Sequence, residues 1–151
     1  MAYHISPDQT AEVLAVATEE VLETMFFSTV LAEPEESASS LPEDSVTAQV
    51  RFRGNPCGEF TVGLALPAAQ SAAENFLGLE FGAITHEQVC GVVREMANMI
   101  CGSVLTRIES DTLFELLAPE ILEDGQAART GTTRVFDVDG NGLLQVTLRV
   151  D

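Results

Sequence analysis

The stretch Gly91 to Gly102 reads GVVREMANMICG, and within it Glu95 and Asn98 are the residues with chemistry to offer. A carboxylate pairs with a cation, while a carboxamide both donates and accepts hydrogen bonds without titrating. At i and i+3 on a helix the two share a face and can act together. Gly91 and Gly102 stand four positions outside them. Each glycine inside a helix costs about 1 kcal/mol relative to alanine, and this stretch accepts two on one face. Bare backbone on either side would let another macromolecule approach closely and take both side chains into a recess. The plainer reading is an ordinary exposed helix, its glycines set by drift or by packing against another helix. Periodicity alone favours that plainer reading.

The element that must carry these residues is a helix predicted from near His86 to about Thr106, opened by the capping box THEQ at Thr85 to Gln88. On a wheel of about 100° per residue, Val89, Val92, Val93, Met96, Ala97, Ile100, Cys101 and Val104 fill one apolar arc. Gly91, Glu95, Asn98 and Gly102 fall opposite, with Met99 and Thr106 beside them. A first helix is predicted from SPDQ at Ser6 to Gln9, where serine caps, proline takes the first helical position and glutamine the third. Its buried stripe is Leu14, Thr18, Val21, Leu22 and Met25, running to about Phe27. AEPEESASSLPED reads as a solvated loop. SVTAQVRFRG and EFTVGLAL alternate apolar and polar residues around GNPCG, which predicts an antiparallel pair. Pro67 opens a short helix that Gly78 can stop. DTLFELLAPEILED reads as a strand ended or bent at Pro119, and TTRVFDVDGNGLLQVTLRV as a closing hairpin.

The bulk properties bound the function. At 151 residues one domain over 1–151 suffices, and 46% hydrophobic residues supply its core. A net charge of -17, with seven arginines and no lysine, argues against nucleic-acid phosphates and anionic membranes as partners. MAYHISPDQT lacks the regions of a signal peptide, and no apolar run approaches the roughly 20 residues that span a bilayer, so a cytoplasmic protein is expected. Cys57, Cys90 and Cys101 lack metal-ligand spacing and read as ordinary buried thiols in a reducing compartment; no metal is expected.

Two features imitate sites. DVDGNG at Asp137 to Gly142 opens like a calcium loop, but position twelve falls on Leu148 where a glutamate is required, and the flanks are strands. A hairpin turn is the expectation. His4 and His86 have no Ser or Cys beside them in a recognisable nucleophile pattern, and no phosphate-cradling loop or dinucleotide fingerprint is present.

REMANMICGSVLT with its Glu95-x-x-Asn98 core, EEVLETMFF at Glu19 to Phe27, and Pro119 downstream together resemble the CheX branch of the CheC/CheX/FliY family of chemotaxis phosphatases. The resemblance runs from the first helix through the last hairpin. It implies an α+β fold with two long helices packed on a largely antiparallel sheet, pairing as a homodimer. It implies hydrolysis of the aspartyl phosphate on a CheY-like receiver domain. Carried to matching positions, Asn98 would orient the attacking water and Glu95 would pair with the receiver's active-site lysine. The chain would need no cofactor of its own, Mg2+ being supplied by the receiver. Gly91, Met99 and Gly102 would border the partner. The family's usual Asp or Ser four residues before the glutamate is Gly91 here. The first helix offers Glu20 to Glu23, with Glu23 in place of an Asn, so one site is expected. The alternative is a non-catalytic adaptor binding a receiver or signalling partner through the same face, and a third reading is a structural acidic protein in a flagellar or sensory assembly.

Overall fold

The computed structural model describes residues 6–32, 41–54, 56–108, 113–122 and 131–151. His4 and residues 33–40 of the acidic loop lie outside the described residues.

The chain opens with α1, Pro7–Met25, where Ser6 and Gln9 cap one another through side chain and backbone as predicted. The helix stops earlier than the predicted Phe27. Phe26 caps it, buried and stacked on Phe76 with ring centroids 4.8 Å apart, while Phe27 takes a left-handed conformation at φ 51° and stays exposed. Ser28 N–H then donates to the Leu22 carbonyl, closing the last turn. Leu14, Thr18, Val21 and Leu22 are buried as expected; Met25 is not, being 44% exposed, because the stripe runs off the core at the last turn.

A short strand that periodicity did not signal, β1 (Val30–Ala32), follows and pairs with the closing hairpin. The central pair is β2 (Ser45–Arg53) and β3 (Gly58–Ala65). Then comes α2, Leu66–Leu77, with proline in its first turn and Gly78 in the left-handed conformation at its C-cap. The long helix α3 is His86–Ile108. DTLFELLAPEILED makes two short strands instead of one, β4 (Glu115–Leu116) and β5 (Glu120–Leu122), both antiparallel to β2. Pro119, with no amide to donate, lies between them. The closing hairpin is β6 (Thr132–Val138) and β7 (Leu143–Val150).

The sheet runs in the order β1-β6-β7-β3-β2-β4, with β5 also on β2, and every ladder is antiparallel. Alternate side chains decide which face is buried. Val46, Ala48, Val50 and Phe52 of β2, Phe60, Val62 and Leu64 of β3, and Leu144, Val146 and Leu148 of β7 join the helices in one core cluster. The residues between them, including Thr47, Gln49, Thr61 and Thr147, belong to the other face, where Thr133 and Thr147 hydroxyls lie 3.0 Å apart across the β6–β7 ladder. An α+β fold with helices on a largely antiparallel sheet is thus what the chain adopts.

Candidate functional site

Helix α3 packs against α1, α2, β2 and β3. Thr85 and Gln88 cap its start, the Gln88 amide donating to Thr85 Oγ1 at 3.1 Å and the Thr85 amide to Gln88 Oε1 at 2.9 Å. Rotation about the helix axis is set by the apolar arc. Val89, Val92, Val93, Met96, Ala97, Ile100, Cys101 and Val104 are all buried, joined by Leu105. By length and composition α3 could cross a bilayer, contrary to the expectation from apolar runs, but these residues are spent on the core.

With that arc turned inward, Glu95 is exposed, and Gly91, Asn98, Met99 and Gly102 are half-buried. Met99 leans partly against the core. Among the described residues, neither the Glu95 carboxylate nor the Asn98 carboxamide has a hydrogen-bond or ion-pair partner. Their donors and acceptors are available to whatever meets this face.

The glycines separate the two readings left open by periodicity. A Cβ built on Gly102 would meet nothing within 4 Å, and one on Gly91 would meet only Arg94 Nη2, at 3.8 Å. No other element of the described chain presses on either position. Packing against another described helix therefore does not account for them. Beside Gly102, Thr106 Oγ1 donates back to its carbonyl at 2.9 Å.

The first helix differs. Glu20 and Glu23 are exposed on α1, and Glu20 forms an ion pair with Arg107 near the end of α3. No carboxamide stands there.

Arg94 is a residue that sequence reasoning passed over. It precedes Glu95, is half-buried, and lies over Gly91; its i+3 spacing from Gly91 is the signal that could have found it.

The imitations resolve structurally. Asp139 Oδ1 accepts from the Thr29 amide at 2.7 Å and Asp137 Oδ2 from the Gly140 amide at 2.8 Å, so the carboxylates of DVDGNG are used within the turn and in tying it to the end of α1. No group of three or more His, Cys, Asp or Glu that could hold a metal occurs among the described residues. His86 does have a thiol near it, since Cys90 Sγ lies 3.5 Å from His86 Nε2 one helical turn on, a contact that follows from i,i+4 helical spacing. Not all three thiols are buried. Cys57 is exposed and Cys90 half-buried, while burial pushes the Cys101 thiol up to about 12.

A cavity of about 390 Å³ lies elsewhere, lined by residues that include Ser71, Glu74, Phe81 and Asn141. Its polar groups are largely engaged with one another: Glu74 accepts from the Gly82 amide at 2.7 Å, and Asn141 Nδ2 donates to Ser71 Oγ at 3.1 Å. The first bond ties the loop before α3 to α2, and the second ties the β6–β7 turn to α2.

The comparisons with known proteins agree with this architecture. A profile of the family described as chemotaxis phosphatase CheX matches residues 46–136, a span that includes the α3 face. A search of curated protein sequences returns no match. Among solved structures, the chemotaxis protein CheX from Vibrio vulnificus superposes with a TM-score of 0.74 at 17% identity, over 98% of this chain and 100% of that one. CheX from Desulfovibrio desulfuricans gives 0.72 at 18% identity over 94% and 99%. The CheX-CheY-BeF3-Mg2+ complex from Borrelia burgdorferi gives 0.68 at 14% identity over 92% and 96%. At such identities these structures speak to the fold, and the profile carries the kinship: this chain is a member of the CheX chemotaxis phosphatase family.

Proposed function

We propose that this chain hydrolyses the aspartyl phosphate of a CheY-like receiver domain, using Asn98 and Glu95 on the outer face of α3. The observation that carries the reading is the pairing of two unpartnered polar side chains with two glycines on a helix face that no other described element covers. The existence of a CheX-CheY-BeF3-Mg2+ complex supports a receiver as the partner.

The chemistry needs little from this chain. An acyl phosphate is already reactive, so holding a water in line with the scissile bond is the main task. The Asn98 carboxamide accepts from and donates to that water without needing to titrate. The water oxygen bonds to phosphorus, and the bond from phosphorus to the aspartyl oxygen breaks with its electron pair left on the receiver's carboxylate. The water's hydrogens leave with inorganic phosphate. Mg2+ held by the receiver supplies charge neutralisation. Glu95, exposed and without a partner among the described residues, enters the receiver and pairs with its active-site lysine, an interaction strengthened as the interface excludes water. Gly91, Met99 and Gly102 form the surface on which the receiver sits. The chain works in the cytoplasm as a homodimer and brings no cofactor of its own.

The test is the decay of a phosphorylated receiver with and without the protein. Acceleration by wild type, lost in Asn98→Ala while binding survives and weakened with binding in Glu95→Ala, bears the reading out. Gly91, in place of the family's usual Asp or Ser, favours the adaptor alternative. Binding without any acceleration would decide for it.

A further inference from the structure

Arg94 is the cation of α3 that no described residue uses. Arg107, the helix's other arginine, is committed to Glu20. Elsewhere Arg53 pairs with Glu115, Arg149 with Glu59 and Asp151, and Arg134 donates to the Ala11 carbonyl at 3.1 Å, while Arg51, exposed on β2, also makes no side-chain bond among the described residues. Arg94 makes no ion pair or hydrogen bond among the described residues, in a chain of 24 acidic side chains and only seven arginines. Acidic partners are abundant, and of these two uncommitted guanidinium groups Arg94 is the one that is half-buried and on α3.

Its position says what it could meet. Four residues before Asn98 and three after Gly91, it flanks the same helix face. Nη2 lies 3.8 Å from where a Cβ on Gly91 would stand, so the side chain folds back along the helix over backbone that glycine leaves bare. That posture sets the planar fork over Gly91, one turn before Glu95 on the same flank of the helix.

We infer that Arg94 contacts the phosphoryl group on the receiver's aspartate, donating from its guanidinium to the non-bridging oxygens. This rests on the proposed phosphatase reading and adds to it a residue that the Glu95-x-x-Asn98 motif does not contain. Under that reading Glu95 draws the receiver's lysine into an ion pair and so weakens that ammonium's hold on the phosphoryl oxygens. Charge spread over three equatorial oxygens in a loose transition state then needs another cation, and an arginine supplied from a second protein meets that need. The guanidinium offers paired N–H donors in a fixed fork that matches two such oxygens, which a lysine does not reproduce.

The experiment measures single-turnover dephosphorylation of a receiver over a range of protein concentrations for wild type, Arg94→Ala, Arg94→Gln and Arg94→Lys. Affinity for the same receiver loaded with beryllofluoride is measured in parallel, and thermal unfolding checks that each variant is folded. The inference expects the maximal rate to fall at least about tenfold in Arg94→Ala and Arg94→Gln, with partial recovery in Arg94→Lys. It also expects weaker binding of the beryllofluoride-loaded receiver with little change for the unloaded one. Unchanged maximal rates in folded variants would overturn it. So would a loss confined to KM that vanishes at high salt, since that marks steering alone. A wild-type protein that accelerates no receiver would instead overturn the phosphatase reading beneath it.

Discussion

Helices α1 and α3 begin with the same device, a hydroxyl residue and a glutamine capping each other across three positions, and both turn apolar residues toward one core. Their outer faces diverge. On α1 that face carries Glu12, Glu20 and Glu23, with Glu20 paired to Arg107. On α3 it carries two glycines together with a carboxylate, a carboxamide and a guanidinium that have no partner among the described residues. A helix whose only task is to cover a core has no reason to forgo about 1 kcal/mol at each of two positions outside that core. The contrast locates where local stability has been given up, and the outer face of α3 is that place.

The strongest way to break the contrast is to attack the surface that fixes the rotation of α3. Met96 is fully buried, and Met96→Ala should cost about 2–5 kcal/mol, read from urea unfolding. An unchanged midpoint would mean that the arc does not set the outer face. Next in size, Asn98→Ala should lower receiver dephosphorylation about 100-fold, equivalent to about 2.7 kcal/mol, without changing the melting temperature. Equal rates would remove the distinction between α3 and α1.

A smaller and opposite effect sharpens the comparison. Gly102→Ala adds a Cβ that meets nothing within 4 Å, so it should raise stability by about 1 kcal/mol while weakening receiver binding. A variant that gains stability and binds normally would show that the glycine serves no partner. The outer face of α1 offers nothing comparable: Arg107→Ala on α3, which frees Glu20 of α1 from a partly exposed pair, should cost less than about 1 kcal/mol, by the same unfolding assay.

The buried thiol gives a pH test of the inner arc. Cys101 ionises near 9 when unfolded, but its folded value is about 12. Above pH 9 the unfolded chain therefore binds fewer protons than the native one. Stability should be unaffected below pH 9 and decline from there toward 12, at no more than about 1.4 kcal/mol per pH unit from this group. Cys101→Ala should flatten that part of the profile, as followed by chemical unfolding at several pH values.

Much of this architecture was legible because it is local. Capping boxes at Ser6 and Thr85 satisfy amides within three residues, Gly78 stops α2 through its own backbone, and the alternation in β2, β3, β6 and β7 needs only a sheet with one buried face. What the sequence did not disclose depends on distant partners. The strand at Val30–Ala32 exists because Phe136 to Val138 lie opposite it, and the segment around Pro119 splits into two strands because β2 offers it two separate stretches of edge. Met25 fits the helical stripe by spacing, but the core ends before it.

The site divides in the same way. Sequence by itself determined that Glu95, Asn98, Gly91 and Gly102 share a helix face and that an apolar arc opposes them, because helical periodicity depends on the order of residues alone. Tertiary structure decided that no described neighbour covers the glycines, that among the described residues Glu20 and not Arg94 has an ion-pair partner, and that Arg94 lies over Gly91. Those facts turn on which side chains meet across space, and residue order along one helix cannot fix that.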